Sequence, residues 1–554
     1  MNKNGPLIIQ SDYTFLLEVE HSQYADCRDF LLLFTELVKS PEYIHTYRVT
    51  PLSLWNAAAL EVSLSRIVDG LESFSKYSIP SIVLTSLEDW YQQYGKLVLE
   101  KENEEELRLT INDDTIFSRL LNNVSLQYFW QHTEAQSKSF LIKKNNRGNI
   151  KQALIQLGYP VNDLCGYLTG DAFSVQLRDT DLSGNTFHLR SYQKEAIEAF
   201  YQNGKPSGGN GIIVLPCGSG KTIIGLGACA AISNCTLIIT TNNVSVHQWK
   251  NELIQKTHVS PDDIGEFTGV TKEIKPITIT TYQMLTWRKS SNSNMDNLEL
   301  FNSRNWGLII YDEVHTLPAP VFRATTEIQA KRRLGLTATL IREDGKEDEV
   351  FALIGPKRYD IPWKTLESLG FIAQANCFEI RVKFHSKLEK EYIFSDKRNR
   401  YRVAAENPNK INLLFELLEK HKKDQILIIG QYISQLDMVA AQLNAPVIMG
   451  KTKNADREKI YDQFRNGEIP VLIVSKVANF AVDLPDANVL IQISGSYGSR
   501  QEEAQRLGRI LRPKKKSSYF YSLVTHNTDE QEFSSNRQLF LVEQGYKYHI
   551  HYYG

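Results

Sequence analysis

The chain has 554 residues, 42% of them hydrophobic and 10% aromatic, with a formal charge of −1. At ~150 residues per domain this gives room for three or four buried cores, and a balance so near neutral excludes recognition of a polyanion by global charge. The six cysteines form no Cys-x-x-Cys pair and no zinc-finger spacing. No run approaches the ~18 apolar residues of a membrane span, and Met1-Asn-Lys-Asn-Gly-Pro6 has no apolar leader core, so a reducing, cytoplasmic setting without a membrane is expected.

Pro6–Glu20 reads as two short strands about a Ser-Asp turn. Helical patterns follow at 24–38, 51–60, 64–74 and 82–94, the second with Thr50 as N-cap and Pro51 at its first position. A predicted hairpin, 96–99 and 107–111, closes the series. Helices followed by a hairpin is the order of a winged-helix module. Its acidic tip, Glu100–Glu106, would repel phosphate, so residues 1–130 are expected to be a mainly helical, winged-helix-like unit for protein contact or plain structure. Residues 131–185 form a small α/β connector with a helix at 148–157, and the turn-rich Arg178–Asn185 marks its end.

Beyond residue 185 the pattern changes. Apolar runs rich in β-branched residues recur between helical stretches at 211–215, 236–240, 277–281, 307–311 and 333–336, then at 425–429, 446–449, 471–474, 489–493 and 519–524. Strands covered on both faces by helices read this way, which divides the region into two parallel-sheet lobes, 186–378 and 408–554. Between them, 379–407 is basic. Within it, residues 381–402 carry Arg381, Lys383, Lys387, Lys390, Lys397, Arg398, Arg400 and Arg402 against Glu389, Glu391 and Asp396, with Tyr392, Phe394 and Tyr401 interleaved. Such a stretch is either a solvated helical face or an insert that tracks a phosphate backbone.

The chemistry concentrates at Leu215-Pro-Cys-Gly-Ser-Gly-Lys-Thr222, between an apolar strand and a small-residue helix. Leu215, Pro216, Cys217, Gly218, Ser219 and Gly220 would line a cradle of backbone N–H groups. Lys221 would reach the β- and γ-phosphates of ATP, and the Thr222 hydroxyl would ligate Mg²⁺. Leu215 stands where the general phosphate-loop pattern has glycine. Leu308-Ile-Ile-Tyr-Asp-Glu-Val-His315 ends a buried strand in two carboxylates. Asp312 is the candidate Mg²⁺ partner and Glu313 the candidate base for the attacking water. Thr337 and Thr339 could bond His315 or those carboxylates. Arg190 and Gln193 suit an adenine-reading clip, the amide of Gln193 offering both a donor and an acceptor. Arg509 and Arg512 are spaced to share one helix face and to neutralise charge in the transition state, or else to pair with acids such as Glu502 and Glu503.

Together these motifs resemble those of superfamily-2 helicases, and more narrowly the XPB family of DNA repair and transcription helicases, in its bacterial branch. The resemblance is carried by Val244–Lys250, Asp312–His315, Gly335–Asp344 with its Arg342-Glu343-Asp344 element, Ser475–Asn488, Gly498–Arg512 and Arg537–Tyr546. Leu215 is also what this family is similar to at that position. The resemblance implies an α/β fold with two RecA-like, doubly wound lobes and a 3′–5′ DNA helicase that uses ATP and Mg²⁺ in nucleotide excision repair. It implies a damage-recognition-like role for 131–185, a thumb-like role for 379–407, and DNA coupling through Arg342, Glu343 and Asp344 beside Lys397, Arg398, Arg400 and Arg402. Single-stranded or forked DNA is the expected partner, with a nuclease or other repair protein as a candidate partner of the N-terminal region. The alternatives are a double-stranded DNA translocase that remodels protein–DNA complexes, a scaffold with a vestigial site, and an RNA helicase.

Overall fold

The structure is a computed structural model that describes residues 5–31, 33–39, 43–59, 61–103, 105–165, 170–205, 208–216, 218–285, 304–316, 330–339, 347–475, 487–496, 499–512, 514 and 516–554. Two compact units account for them. One comprises Met1–Val38, Glu42–Val214 and Gly220–Asp360, and the other chiefly Ile361–Gly554, with the loop stretch Leu215–Ser219. Among the described residues no helix is long and apolar enough to cross a membrane.

The first unit opens with a four-stranded sheet, in which Leu7–Ile9 pairs antiparallel with Thr14–Glu18 and that strand with Ile44–Arg48. Helix Pro51–Ala59 begins as expected. Ser53 N–H donates to Thr50 Oγ1 at 3.1 Å and Thr50 N–H donates to Ser53 Oγ at 3.0 Å, a reciprocal cap. The expected hairpin also forms, Leu97–Lys101 against Glu106–Ile111 with Leu97 opposite Ile111. It is not an isolated wing. Trp130–Glu134, Ser139–Lys143 and Val161–Asp163 extend it into a five-stranded sheet over a core of Leu97, Leu99, Leu107, Leu109, Phe140 and Ile142. One sheet therefore spans residue 130, where the sequence suggested a division, and the region is richer in strand than the mainly helical unit expected. The polar run Trp130-Gln-His-Thr-Glu134 hides the strand, because only one of its faces packs.

This N-terminal region packs on the sheet that follows. Trp55, Ile155 and Phe351 form one buried cluster, and the Lys357 N–H donates to Asn56 Oδ1 at 3.3 Å.

The remainder of the unit is a seven-stranded parallel sheet: β1 (Asn210–Val214), β2 (Thr236–Thr240), β3 (Ile264–Phe267), β4 (Ile277–Thr281), β5 (Trp306–Asp312), β6 (Ala330–Thr337) and β7 (Lys357–Asp360), in the order β3-β4-β2-β5-β6-β1-β7. The two strands absent from the sequence expectation, β3 and β7, are its edges; the edge sequence Lys-Arg-Tyr-Asp needs no apolar run. Helix Lys221–Ile232 lies against the sheet at van der Waals distance. A Cβ on Gly225 would stand 3.5 Å from Ile310 Cδ1 of β5.

The second unit repeats the plan with β8 (Ala375–Val382), β9 (Ile426–Gly430), β10 (Val447–Ile448), β11 (Val471–Ser475), β12 (Val489–Gln492), β13 (Ser518–Thr525) and β14 (Tyr548–Tyr553), ordered β10-β11-β9-β12-β13-β8-β14. Strand β8 changes the reading of the basic stretch. Residues 379–382 are sheet, paired between β13 and β14, so the stretch starts inside the lobe. Its helix Lys397–Ala405 buries Tyr401, Val403, Ala404 and Ala405 against that lobe.

Lys410 and Glu530 are both fully buried and joined at 2.7 Å, and Lys410 also donates to the Ile493 carbonyl oxygen at 3.1 Å. Removing one partner strands a charge in a dry interior. Glu530→Ala is therefore expected to destabilise this unit by about 3–5 kcal/mol, whereas Lys410→Met combined with Glu530→Leu should cost much less. Urea unfolding followed by near-UV circular dichroism distinguishes the two variants.

Candidate active site

Parallel strands of one register bring their C-terminal ends to one edge. Asp312 of β5 stands opposite Leu336 of β6, and Leu336 opposite Ile213 of β1. The segments that leave β1, β5 and β6 thus emerge within about a residue of one another.

After β1 the chain runs through Leu215 and Pro216 into the glycine loop. Ser219 folds the loop on itself, its Oγ donating to the Pro216 carbonyl oxygen at 2.7 Å. Gly218 and Gly220 have φ of 79° and 82°, the left-handed region where an L side chain is strained. Helix Lys221–Ile232 begins directly behind, which places Lys221 and Thr222 in its first turn at the positive end of the helix dipole. A Cβ on Gly220 would also lie 2.7 Å from Gln193 Nε2. Gln193 is buried, and its Oε1 accepts from the Arg190 N–H at 3.0 Å. Gln193 therefore sits against the start of helix Lys221–Ile232, with Arg190 bonded to it through its main-chain N–H.

The acidic pair ends β5. Trp249 Nε1 donates to Asp312 Oδ2 at 2.9 Å, and the Tyr282 hydroxyl donates to the Asp312 main-chain oxygen at 2.8 Å. Loss of hydration, then the neighbouring Glu313, push the Asp312 carboxyl up to about 6, against the opposing pull of the indole bond and of Lys221. Glu313 leaves the strand at a φ of 51°, uncommon for a residue with a side chain. Lys221 Nζ donates to Glu313 Oε1 at 2.8 Å, and His315 Nδ1 lies 3.5 Å from Oε2. Buried His315 also places Nδ1 2.5 Å from Thr337 Oγ1 at the end of β6, the pairing expected of the threonines.

Other expectations change. Helix Arg500–Gly508 stops before Arg509, so Arg509 and Arg512 do not share a helix face. The chain tightens instead through bonds from Arg509 N to the Arg506 oxygen and from Ile510 N to the Leu507 oxygen, and then buries Ile510 and Leu511 completely. Within the helix Arg506 is fully buried, with Nη2 3.2 Å from Glu502.

In the basic stretch, Lys397 and Arg398 are exposed, whereas Arg402 pairs with Glu406 at 2.8 Å and Arg400 lies 5.5 Å over the Tyr392 ring. Tyr401, expected among the interleaved aromatics, points inward and donates to the Gly495 oxygen at 2.8 Å; Phe394 is 87% exposed. Cys217, Arg342, Glu343, Asp344 and residues 476–486 lie outside the described residues. Trp249 and Tyr282 were given no role from the sequence. The one available signal was that a buried indole N–H requires an acceptor.

A glycine–lysine loop and an acidic pair on one edge of a parallel sheet, in a chain with a second parallel-sheet unit, define an ATPase of the two-lobed helicase class. The comparisons narrow this. Residues 366–552 match the family described as ERCC3/RAD25/XPB C-terminal helicase, 186–342 match the type III restriction enzyme res subunit, and 7–134 match a helicase conserved C-terminal domain. The DNA 3′-5′ helicases XPB of Kineococcus radiotolerans and Mycobacterium tuberculosis are each 47% identical over 99% of this chain, covering 96% and 98% of their own lengths. The general transcription and DNA repair factor IIH helicase/translocase subunit XPB of Enterocytozoon bieneusi is 35% identical over 99% of this chain and 92% of its own. The chain belongs to the XPB family of helicases.

Gly220 offers a direct test of the loop geometry. Gly220→Ala combines a strained φ with a Cβ pressed on Gln193, and strain of this kind is expected to weaken ATP affinity about tenfold or more. Titration with a fluorescent ATP analogue checks this. Unchanged affinity with a lowered Tm would reduce Gly220 to a folding role.

Proposed function

We propose that this chain is a 3′–5′ DNA helicase of the XPB type that acts on single-stranded or forked DNA in cytoplasmic DNA repair, with hydrolysis of ATP carried out at Lys221, Thr222, Asp312 and Glu313. The supporting observation is the 2.8 Å bond between Lys221 Nζ and Glu313 Oε1. A phosphate-binding ammonium and a carboxylate able to take a proton from water both reach one point at the sheet edge.

In this reading the loop N–H groups and Lys221 hold the β- and γ-phosphates. Glu313 orients a water and accepts its proton as the water oxygen bonds to the γ-phosphorus and the bond to the bridging oxygen breaks. His315, whose Nδ1 bonds Thr337, stands 3.5 Å from the other oxygen of the Glu313 carboxylate. Thr222, in the first turn of its helix, and Asp312, at the end of β5, are both hard oxygen donors of the kind Mg²⁺ takes, and the Asp312 carboxyl, raised first by loss of hydration and then by Glu313, gains from a nearby cation; the pair fits Mg²⁺. When bound, Mg²⁺ neutralises charge that develops on the phosphates. Arg190 and Gln193 read the adenine edge, and Arg509 and Arg512 of the second unit support turnover.

The 47% identical relatives, both named DNA 3′-5′ helicase, favour strand separation over the alternative of translocation on duplex alone. Lys397 and Arg398 supply phosphate contacts in addition to the DNA coupling read for Arg342, Glu343 and Asp344. Arg400 and Arg402 are occupied within their own lobe and contribute less. A nuclease or another repair protein would bind through the N-terminal region.

Lys221→Ala is expected to abolish ATP hydrolysis, and Glu313→Gln to retain ATP binding while turnover is lost. Normal turnover in Glu313→Gln would remove Glu313 from the chemistry. Chelation by EDTA should stop hydrolysis and added Mg²⁺ should restore it.

For DNA, Lys397→Ala with Arg398→Ala should lower the log–log salt slope of binding by about 0.7–0.9 for each phosphate no longer neutralised, leaving DNA-independent ATPase unchanged. Affinities at several salt concentrations read this out, and an unaltered slope would return the helix to a solvated surface.

A further inference from the structure

Trp249 is the largest side chain bonded to the acidic pair, and it is 1% exposed. It comes from helix Asn243–Lys256, which follows β2, the strand next to β5. A buried indole has one polar atom to satisfy, and here that atom donates to Asp312 Oδ2 at 2.9 Å. The ring is itself confined: it packs so close to helix Lys221–Ile232 that a Cβ at Gly225 would stand 2.4 Å from it. The indole is thus wedged between the helix that carries Lys221 and Thr222 and the strand that carries Asp312. Tyr282, at the end of β4, fixes the same residue from beneath through its bond to the Asp312 main-chain oxygen. Asp312 is therefore held at its side chain and at its backbone by two neighbours, neither of which is part of the acidic pair.

We propose that Trp249 is a positioning residue for ATP hydrolysis. Its indole N–H fixes the rotation of the Asp312 carboxylate in the orientation that serves the divalent cation of the bound nucleotide, and Tyr282 fixes the backbone below. The inference rests on the reading of Asp312 as the metal carboxylate. Partners of this kind, which touch the ligating group rather than the ion, typically change metal affinity or activity by 10–100-fold when removed.

Trp249→Phe keeps the ring and removes the N–H. Mn²⁺ can replace Mg²⁺ as a probe, its free concentration followed by electron paramagnetic resonance in titrations of the full chain with ADP. The variant is expected to bind Mn²⁺ about 10–100-fold more weakly. Its kcat for ATP should fall in similar proportion, with a smaller change in KM. In an Asp312→Asn background the same substitution should weaken Mn²⁺ no further, because the group it acts through is gone. An equal loss in both backgrounds would show that Trp249 acts by packing, and unchanged Mn²⁺ affinity in Trp249→Phe would overturn the proposal outright. If Asp312→Asn itself leaves Mn²⁺ binding intact, the metal reading of Asp312 falls first and this inference with it. Should Trp249→Phe fail to fold, 3-benzothienylalanine at position 249, an isostere lacking only the N–H, carries the same test with the same expected loss.

Discussion

Lys221 and Glu313 are 92 residues apart in sequence and 2.8 Å apart in space, and the parallel register of the sheet makes that possible. The loop after β1 and the acidic end of β5 meet across β6, whose Thr337 holds His315 against the same carboxylate. A slip of one residue in a strand would turn its inward side chains to the other face and carry the acidic pair away from the helix end. The continuous burial of β1, β2 and β5, covered on both faces, is what fixes that register. Core packing and site geometry are therefore one constraint.

The second unit uses a different means to shape its loops. Its interior holds a set of buried charges: Arg537 Nε 3.4 Å from Glu503 and Arg506 beside Glu502 on helix Arg500–Gly508, and Lys410 with Glu530. Arg537 and Tyr401 both donate to main-chain oxygens of the segment that follows β12, at Ser496 and Gly495 respectively. Apolar side chains could fill the same volume, but they could not bond those carbonyls. The charges set the path of the chain toward Arg509.

How much of this was legible in the sequence depended on what each residue packs against. Strands covered on both faces, such as Thr-Leu-Ile-Ile-Thr in β2, announce themselves as apolar runs. Strand β8, Ala-Asn-Cys-Phe-Glu-Ile-Arg-Val, did not, because Glu379 is buried by bonds to Ser534 and Gln538 that only the fold supplies. Its omission shifted the apparent start of the basic stretch into the sheet. Lys221 and the Asp312–Glu313 pair stood out because each motif is local in itself, a glycine loop between strand and helix and two acids closing an apolar strand. Trp249 and Tyr282 were silent, since their partner lies across the sheet. Arg509 and Arg512 were given the wrong backbone, as spacing alone cannot show that the helix ends at Gly508 and that Ile510 and Leu511 are drawn into the core.

The left-handed backbone at Glu313 has a consequence for motion. The residue is pinned on its C-terminal side, where the Thr316 N–H and hydroxyl both donate to its carbonyl oxygen, at 2.9 and 2.8 Å. Its φ/ψ cannot change without unmaking that turn. Any re-aiming of the carboxylate, from the ammonium of Lys221 toward a water, must come from rotation about side-chain bonds alone. Such a rotation must first break the 2.8 Å bond to Lys221 Nζ, so the aim of the carboxylate and the position of that ammonium change together.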